Sequence, residues 1–453
     1  MKPSSEVYPF GLERLAGPLD RSLARMIAKL PGAAEVRRLR WFWLDGLYSN
    51  VSLNFYAGFV PLFALAFGAN NAEIGQLTAV ASLGGLIALF PGAQATKLLG
   101  VRRKSVVIVF GGVISRLAML AWIFLPFMRP GNGTAVLVII AVNALITFCN
   151  YFANPGWTAM VADIVPAGIR GRFFSYRSVT VNLAALVVVP LAGLLIQAGN
   201  RPGQPFAGYQ MAFALALVTG AMATHAFAQI DDPVPADKAS QALPAAELAR
   251  IIRRAPGFVS LVICTLIWNL GVQMTAPFLN VYLVNQLGAS TGMVGWILAA
   301  ASLMGLLTQQ WLGQWVDRRG NMWVQGALSF IIMWIPIAWM AATAAWQLII
   351  VNGIAGILWT GYGLASFNLL LEMAPEAARA EANALFQLVI VGSAVIGPVI
   401  GGHLSDAFGY RPMFILSAVL RLIGAVAFVW WVARPAARRA RQPAGASSLE
   451  PFV

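Results

Sequence analysis

Charge is the scarcest commodity in this sequence. Only 11% of its 453 residues are Asp, Glu, Lys or Arg, against about 25% in soluble domains. Thiols and imidazoles are scarcer still: two cysteines, Cys149 and Cys264, and two histidines, His225 and His403. Both cysteines fall inside long apolar runs, which excludes a disulfide-stapled secreted scaffold. A metal site needs more ligands than this, and neither histidine has a carboxylate at ligand spacing, so neither metal nor cofactor is expected. With no nucleophile–base constellation an enzyme is not expected either. No cleavable signal peptide is expected, since the first apolar run starts after residue 40 and is too long for an h-region.

Apolar residues fill the gap. They make up 59% of the chain, the mean hydropathy is +0.73, and such a composition excludes a disordered chain. A membrane span needs about 20 apolar residues. Spans are predicted at 42–67, 74–97, 104–127, 134–161, 175–198, 207–229, 257–286, 292–315, 323–344, 347–373, 382–405 and 411–433.

The net charge of +14 invites a nucleic-acid partner, but its distribution does not. With both termini inside, 26 of the 31 basic residues fall on the cytoplasmic side and only Arg129, Arg201 and Arg411 outside. That is the positive-inside asymmetry of a multi-pass protein in a bacterial cytoplasmic membrane, and no nucleic acid is implied.

The chain repeats itself. Ala81-Ser82-Leu83 with Gly85-Leu86 recurs 220 residues later as Ala301-Ser302-Leu303 with Gly305-Leu306. Val142-Asn143, Asp163, Pro166 and Arg170 recur at an offset of 209 as Val351-Asn352, Glu372, Pro375 and Arg379. Two six-span halves, 41–230 and 256–434, are therefore expected, related by an axis along the membrane normal. Residues 231–255 read as a cytoplasmic linker and 435–453 as a cytoplasmic tail. In segment 1–40, Leu12, Leu15, Leu19, Leu23, Met26 and Leu30 suit an interfacial amphipathic helix, and a basic tail is the alternative.

After the eighth span comes Gly313-Gln314-Trp315-Val316-Asp317-Arg318-Arg319-Gly320-Asn321. This stretch resembles the G-x-x-x-D-R-x-G signature of the major facilitator superfamily, and the two-half, twelve-span plan extends the resemblance over nearly the whole chain. The first half keeps a degraded copy, with Thr96 and Lys97 where Asp-Arg would stand. The resemblance implies an all-α membrane fold of two pseudo-symmetric six-helix bundles that transports a small molecule by alternating access. Gly313, Asp317, Arg318 and Gly320 are then candidates for gating. So are the acid–Arg pairs Asp163/Arg170 and Glu372/Arg379, where the alternative is ordinary topology charge. Gly397-Pro398 with Gly401-Gly402 looks like the superfamily's antiporter motif in a different helix, or like close packing.

The same resemblance places the first and fourth helices of each half around a central cavity. Polar residues sharing one face of these helices are candidate substrate ligands, because lipid-facing polar groups are costly. They are Asn50 and Asn54, then Asn150, Asn154 and Trp157, then Trp268, Asn269 and Gln273, and finally Trp359. Interhelical hydrogen bonding is the alternative for each. Arg116, halfway along the third span, either meets an anionic substrate or is structural. Acids are missing at mid-depth, so a coupling proton or ion has only end-placed groups such as Asp45, or His225, to use. The substrate expected is a small amphipathic organic solute, with export, nutrient or siderophore uptake, and a non-transporting receptor or lipid-handling role all open. The partners expected are that solute and the bilayer, with the protein a monomer.

Overall fold

In hydrocarbon the backbone has no water to bond, so uncharged apolar runs of this length fold as α-helices. The computed structural model describes residues 33–99, 103–128, 130–165, 169–231, 250–253, 255–375 and 378–436. The expected interfacial helix, most of the linker and the tail lie outside these. Among the described residues, twelve helices are long and apolar enough to cross a membrane: α1 (Arg37–Ala66), α2 (Asn71–Thr96), α3 (Arg103–Met128), α4 (Asn132–Val161), α5 (Tyr176–Gly199), α6 (Ala207–Ala228), α7 (Gly257–Asn285), α8 (Thr291–Arg319), α9 (Asn321–Ala341), α10 (Gln347–Met373), α11 (Glu381–Phe408) and α12 (Tyr410–Ala436). The signature residues Asp317, Arg318 and Arg319 are the last turn of α8 rather than loop, and Gly320, at φ +84°, ends that helix as only glycine does easily.

Three of these helices are interrupted. α1 breaks between Tyr56 and Val60, and α7 passes through a 3₁₀ turn at Ala276–Phe278. α9 breaks between Ile332 and Ile335. Prolines 61, 277 and 336 explain the positions, since each removes an N–H and crowds the preceding turn. The freed carbonyls need other donors. Asn280 of α7 donates to the Gly58 carbonyl at 3.0 Å. The Ile332 carbonyl, whose helical partner would be the N–H that Pro336 lacks, takes Nη1 of Arg421 at 3.3 Å. Nη2 of the same arginine reaches the Thr275 hydroxyl at 3.1 Å, beside the α7 break. A charge inside a span is costly unless it replaces a missing donor. Arg421 does this for two helices at once.

The internal repeat carries into the bonding. Asn143 of α4 donates to the Leu77 carbonyl of α2 at 3.2 Å, and Asn352 of α10 to the Ile297 carbonyl of α8 at 3.1 Å. Both partners obey the offsets read from the sequence. The two halves meet along α2–α11 and α5–α8, where glycines remove side chains at the crossing. A methyl group at Gly75 would collide with the Pro398 carbonyl, one at Gly402 with Asn71, and one at Gly193 with Thr291. The Gly397-Pro398/Gly401-Gly402 stretch is thus a helix-packing surface in this structure.

Two ends of the molecule differ. At the end where α1 turns into α2 and α7 into α8, one apolar core runs through both halves, joining Phe59 and Phe63 to Phe278, Tyr282 and Phe414. At the opposite end, where the linker leaves α6, each half keeps its own core: Leu39, Phe42, Met160 and Phe173 in one, Phe258, Leu369, Phe386 and Phe428 in the other. The halves are therefore joined at the far end and separate at the linker end.

Candidate functional site

A cavity of about 550 Å³ lies in the first half, in the part of the helices nearer the linker end. Five helices wall it, α5 through Arg177 alone. α1 contributes Asp45, Ser49, Leu53 and Tyr56, at helical spacing along one stripe. α4 contributes Asn143, Thr147, Asn150, Tyr151, Asn154 and Trp157, and α6 Ala223, Thr224 and Phe227. α3 presents Val107, Ile108, Gly111, Gly112 and Arg116. It can do so because residues Val107–Ile114 are π-helical, and the wider turn returns to the same face every four to five residues.

Three charges gather here. Asp45 is 7% exposed. It takes hydrogen bonds from the Trp157 and Ser49 side chains, the latter long at 3.5 Å. Arg177 of α5 lays its guanidinium over Phe42 at 5.1 Å and Trp157 at 5.4 Å from the ring centres. The space it occupies exists because residue 46 is glycine. Cation–π contacts of this kind are stronger where water is excluded, and Asp45 adds a neighbouring opposite charge. Arg116 packs its δ-carbon and Nε against Gly220 of α6. Its Nε is sealed from solvent with no hydrogen-bond partner among the described residues. The site thus holds two guanidinium groups and one carboxylate inside mainly apolar walls.

Of the residues expected to bind substrate, the structure brings Asn150, Asn154, Trp157 and Arg116 into this one cavity. Asn50 and Asn54 bond each other, 2.8 Å apart, on the α1 stripe that ends at Gly58 and faces the other half. Trp268 is core, stacked on Tyr362 at 4.4 Å with Trp359 at 5.4 Å. Asn269 donates to the Thr265 carbonyl at 3.1 Å, and Gln273 lies where Gly397 of α11 crosses α7. These second-half residues do not line the cavity. Sequence reasoning did not single out Arg177, Ser49, Tyr56 or Thr224. The stripe Asp45-Ser49-Leu53-Tyr56 was there to find, but Arg177 gave no signal beyond its charge.

At the linker end the acids grip neighbouring helices of their own half. Asp163 pairs with Arg103, at the start of α3, at 2.7 Å. Glu372 accepts from the Asn321 side chain at the start of α9, at 2.5 Å, and Asn368 donates to the same residue at 3.1 Å. The side chains of Arg170 and Arg379 lie outside the described residues. Asp317 and Arg318 are exposed, and Arg319 sits over Trp323 at 5.5 Å. Gly313 has open space around its α-carbon. Thr96 turns back onto the Gly92 carbonyl at 2.9 Å.

The far end carries a bond pattern across the halves. Asp406 of α11 accepts from the backbone N–H groups of Asn71 and Ala72 at 3.0 and 2.8 Å, so it caps the N-terminus of α2. Tyr410 adds a 2.7 Å hydroxyl bond to the Asn71 side chain. At the repeat-related place, Gln197 of α5 rests against Gly292 of α8, and Thr291 donates to the Gly193 carbonyl at 3.2 Å.

Known proteins match at both levels. The family model described as Major Facilitator Superfamily matches residues 46–364 and 261–453. A multi-drug resistance efflux pump, PmrA of Streptococcus pneumoniae, is 22% identical over 84% of this chain and 92% of its own length. The multidrug resistance protein MdtG of Dickeya zeae is 30% identical over 33% of this chain, and an MFS-type transporter of Bacillus subtilis, YqjV, 26% over 43%. The chain covers 38% and 47% of the length of these last two. Among solved structures, a bacterial homologue of the iron transporter ferroportin superposes with a TM-score of 0.70 at 17% identity, covering 88% of this chain and 99% of that one. A bacterial homologue of the lysosomal transporter Spinster gives 0.69 at 15%, over 88% and 97%. With twelve membrane-capable helices among the described residues, a signature stretch in place and a family model matching on both sides of the linker, this chain belongs to the major facilitator superfamily, as a multi-pass membrane protein.

Proposed function

We propose that this chain is an exporter that moves a small amphipathic organic solute across a bacterial cytoplasmic membrane by alternating access, as a monomer with both termini inside. The observation that carries the reading is the difference between the two ends. One core ties the halves together at the far end, while two separate cores leave the linker end divided, with the cavity on that side. The basic residues put the linker end in the cytoplasm, so this shape is inward-open. Aromatic and aliphatic walls suit an apolar body, and the amides and charges fix its polar group. Asp45 is the acid that the cavity offers to a coupling proton or ion. The names of PmrA and MdtG support export.

The test combines topology, binding and direction. A Cys replacing Gly131 should react with an impermeant maleimide from outside and one replacing Ser240 should not, and the two native cysteines are buried. A panel of amphipathic cations, neutrals and anions should contain compounds that raise the melting temperature of the purified protein. Inside-out vesicles should accumulate those compounds, and an Asn150→Trp variant with a filled cavity should not. No transported compound sinks the carrier reading, and uptake by whole cells instead of expulsion turns the direction to import.

A further inference from the structure

The charges in the cavity do not balance, and the imbalance says something about the solute. Arg177 is provided for: aromatic rings face it on two sides and Asp45 stands beside it. Arg116 has no comparable provision. It reaches the cavity from the middle of α3, with Gly220 beneath it; its sealed Nε has no acceptor among the described residues, as is true of Arg177 and Arg421, but unlike Arg177 it has no aromatic ring over its guanidinium among those residues. The titratable groups that face it are Tyr56, a neutral phenol, and the same Asp45 that serves Arg177. One carboxylate cannot neutralise two guanidinium groups. Leaving a cation without a counter-charge in an apolar wall is costly. Arg421 shows how this protein settles a structural arginine, with a backbone carbonyl and a hydroxyl as acceptors. Arg116 has neither.

We infer that Arg116 is the binding point for an anionic group on the transported solute, and that the carrier selects amphipathic monoanions over cations of the same size. The inference rests on the carrier reading of this cavity. A guanidinium presents a planar fork of N–H donors that a carboxylate accepts two at a time. The Asn150 amide and the Tyr56 hydroxyl lie in the same wall system and can complete the shell of the bound group. Leu53, Ile108, Ile146 and Phe227 receive the apolar body. Binding then supplies the missing counter-charge.

Three probes of one size and shape separate the possibilities: 2-naphthoate, 2-naphthamide and 2-naphthylmethylammonium, titrated into the full-length protein in lipid nanodiscs. The wild type should bind the anion roughly tenfold or more tighter than the amide, the range for a hydrogen bond to a charged group, and the cation weakest. Arg116→Gln should bring the anion down to the level of the amide while the amide is unchanged. Arg116→Lys should keep part of the preference. Asn150→Asp tests the same idea without touching the arginine. An internal carboxylate in that wall should weaken the anion by roughly tenfold and strengthen the cation. If all three probes bind the wild type equally, or if Arg116→Gln and Asn150→Asp both leave the order unchanged, the anion inference falls while the cavity reading stands. If none of the three binds, the cavity reading falls and takes the inference with it.

Discussion

Replacing Asp406 with alanine removes the carboxylate that holds the first turn of α2 from across the interface between the halves. Two backbone N–H groups, at 3.0 and 2.8 Å, lose their acceptor. Losing an N-cap costs about 0.5–2 kcal/mol. Asp406 is exposed, so water recovers part of the loss and about 1 kcal/mol is expected. These bonds exist only while the far ends are together. The loss therefore falls on this conformation alone and shifts the equilibrium toward shapes with the far ends apart by about fivefold. Spin labels at Gly133→Cys and Thr343→Cys report the far-end separation, and the native cysteines are buried. The distance distribution should gain a longer component in Asp406→Ala. The repeat-related Gln197→Ala removes a neutral side chain and should change the distribution little. An unchanged distribution in Asp406→Ala, or an equal shift in Gln197→Ala, refutes the reasoning.

Other consequences can be checked on purified protein. Arg421→Met should lower stability by about 2–4 kcal/mol, because it leaves the Ile332 carbonyl buried without a donor. Adding Pro336→Ala should recover part of that loss by restoring an N–H at the right place, and strictly additive effects in thermal unfolding would contradict it. Asn143→Ala and Asn352→Ala should each cost about 1 kcal/mol, and together the sum, since they serve separate helix pairs. Markedly unequal costs would break the repeat argument. Asp317→Asn should leave thermal stability within about 0.5 kcal/mol, because the residue is exposed and has no bond to lose among the described residues. It should nevertheless lengthen linker-end distances if Asp317 latches that end when it closes, and unchanged distances leave the motif a topology signal.

Much of the fold was written in local composition. The spans follow from hydropathy, and their ends shift by a few residues, as in the earlier start of α1 and the extra turn that puts Asp317–Arg319 inside α8. The paired offsets located Asn143 and Asn352, and the structure gives them matching bonds. The breaks in α1, α7 and α9 were less legible, because a proline inside a span only sometimes interrupts it. The cavity was legible in part. One-sided amides on α4 pointed toward Asn150 and Asn154, but facial spacing cannot tell a cavity wall from a neighbouring helix, and Trp268 faces the latter. The sequence reading also spread the candidates over both halves, whereas the cavity that holds Asp45, Arg116 and Arg177 sits in one. Arg177 depends on a glycine opposite it and on two rings from other helices, a coincidence of three helices that no local pattern announces.

The division into one shared core and two private ones has a thermodynamic consequence. Rocking to the opposite shape would split the shared core and bring the private ones together. Apolar area leaves one end as it enters the other, so the largest energies in the molecule oppose each other along this motion. The net heat-capacity change of the motion is then small, and the enthalpy difference between the shapes should stay nearly constant with temperature. What remains to set that balance is a handful of directional contacts, such as the capped turn at Asn71–Ala72, and the solute itself. Terms of about 1 kcal/mol, small beside the opposing apolar energies, then decide which way the carrier faces.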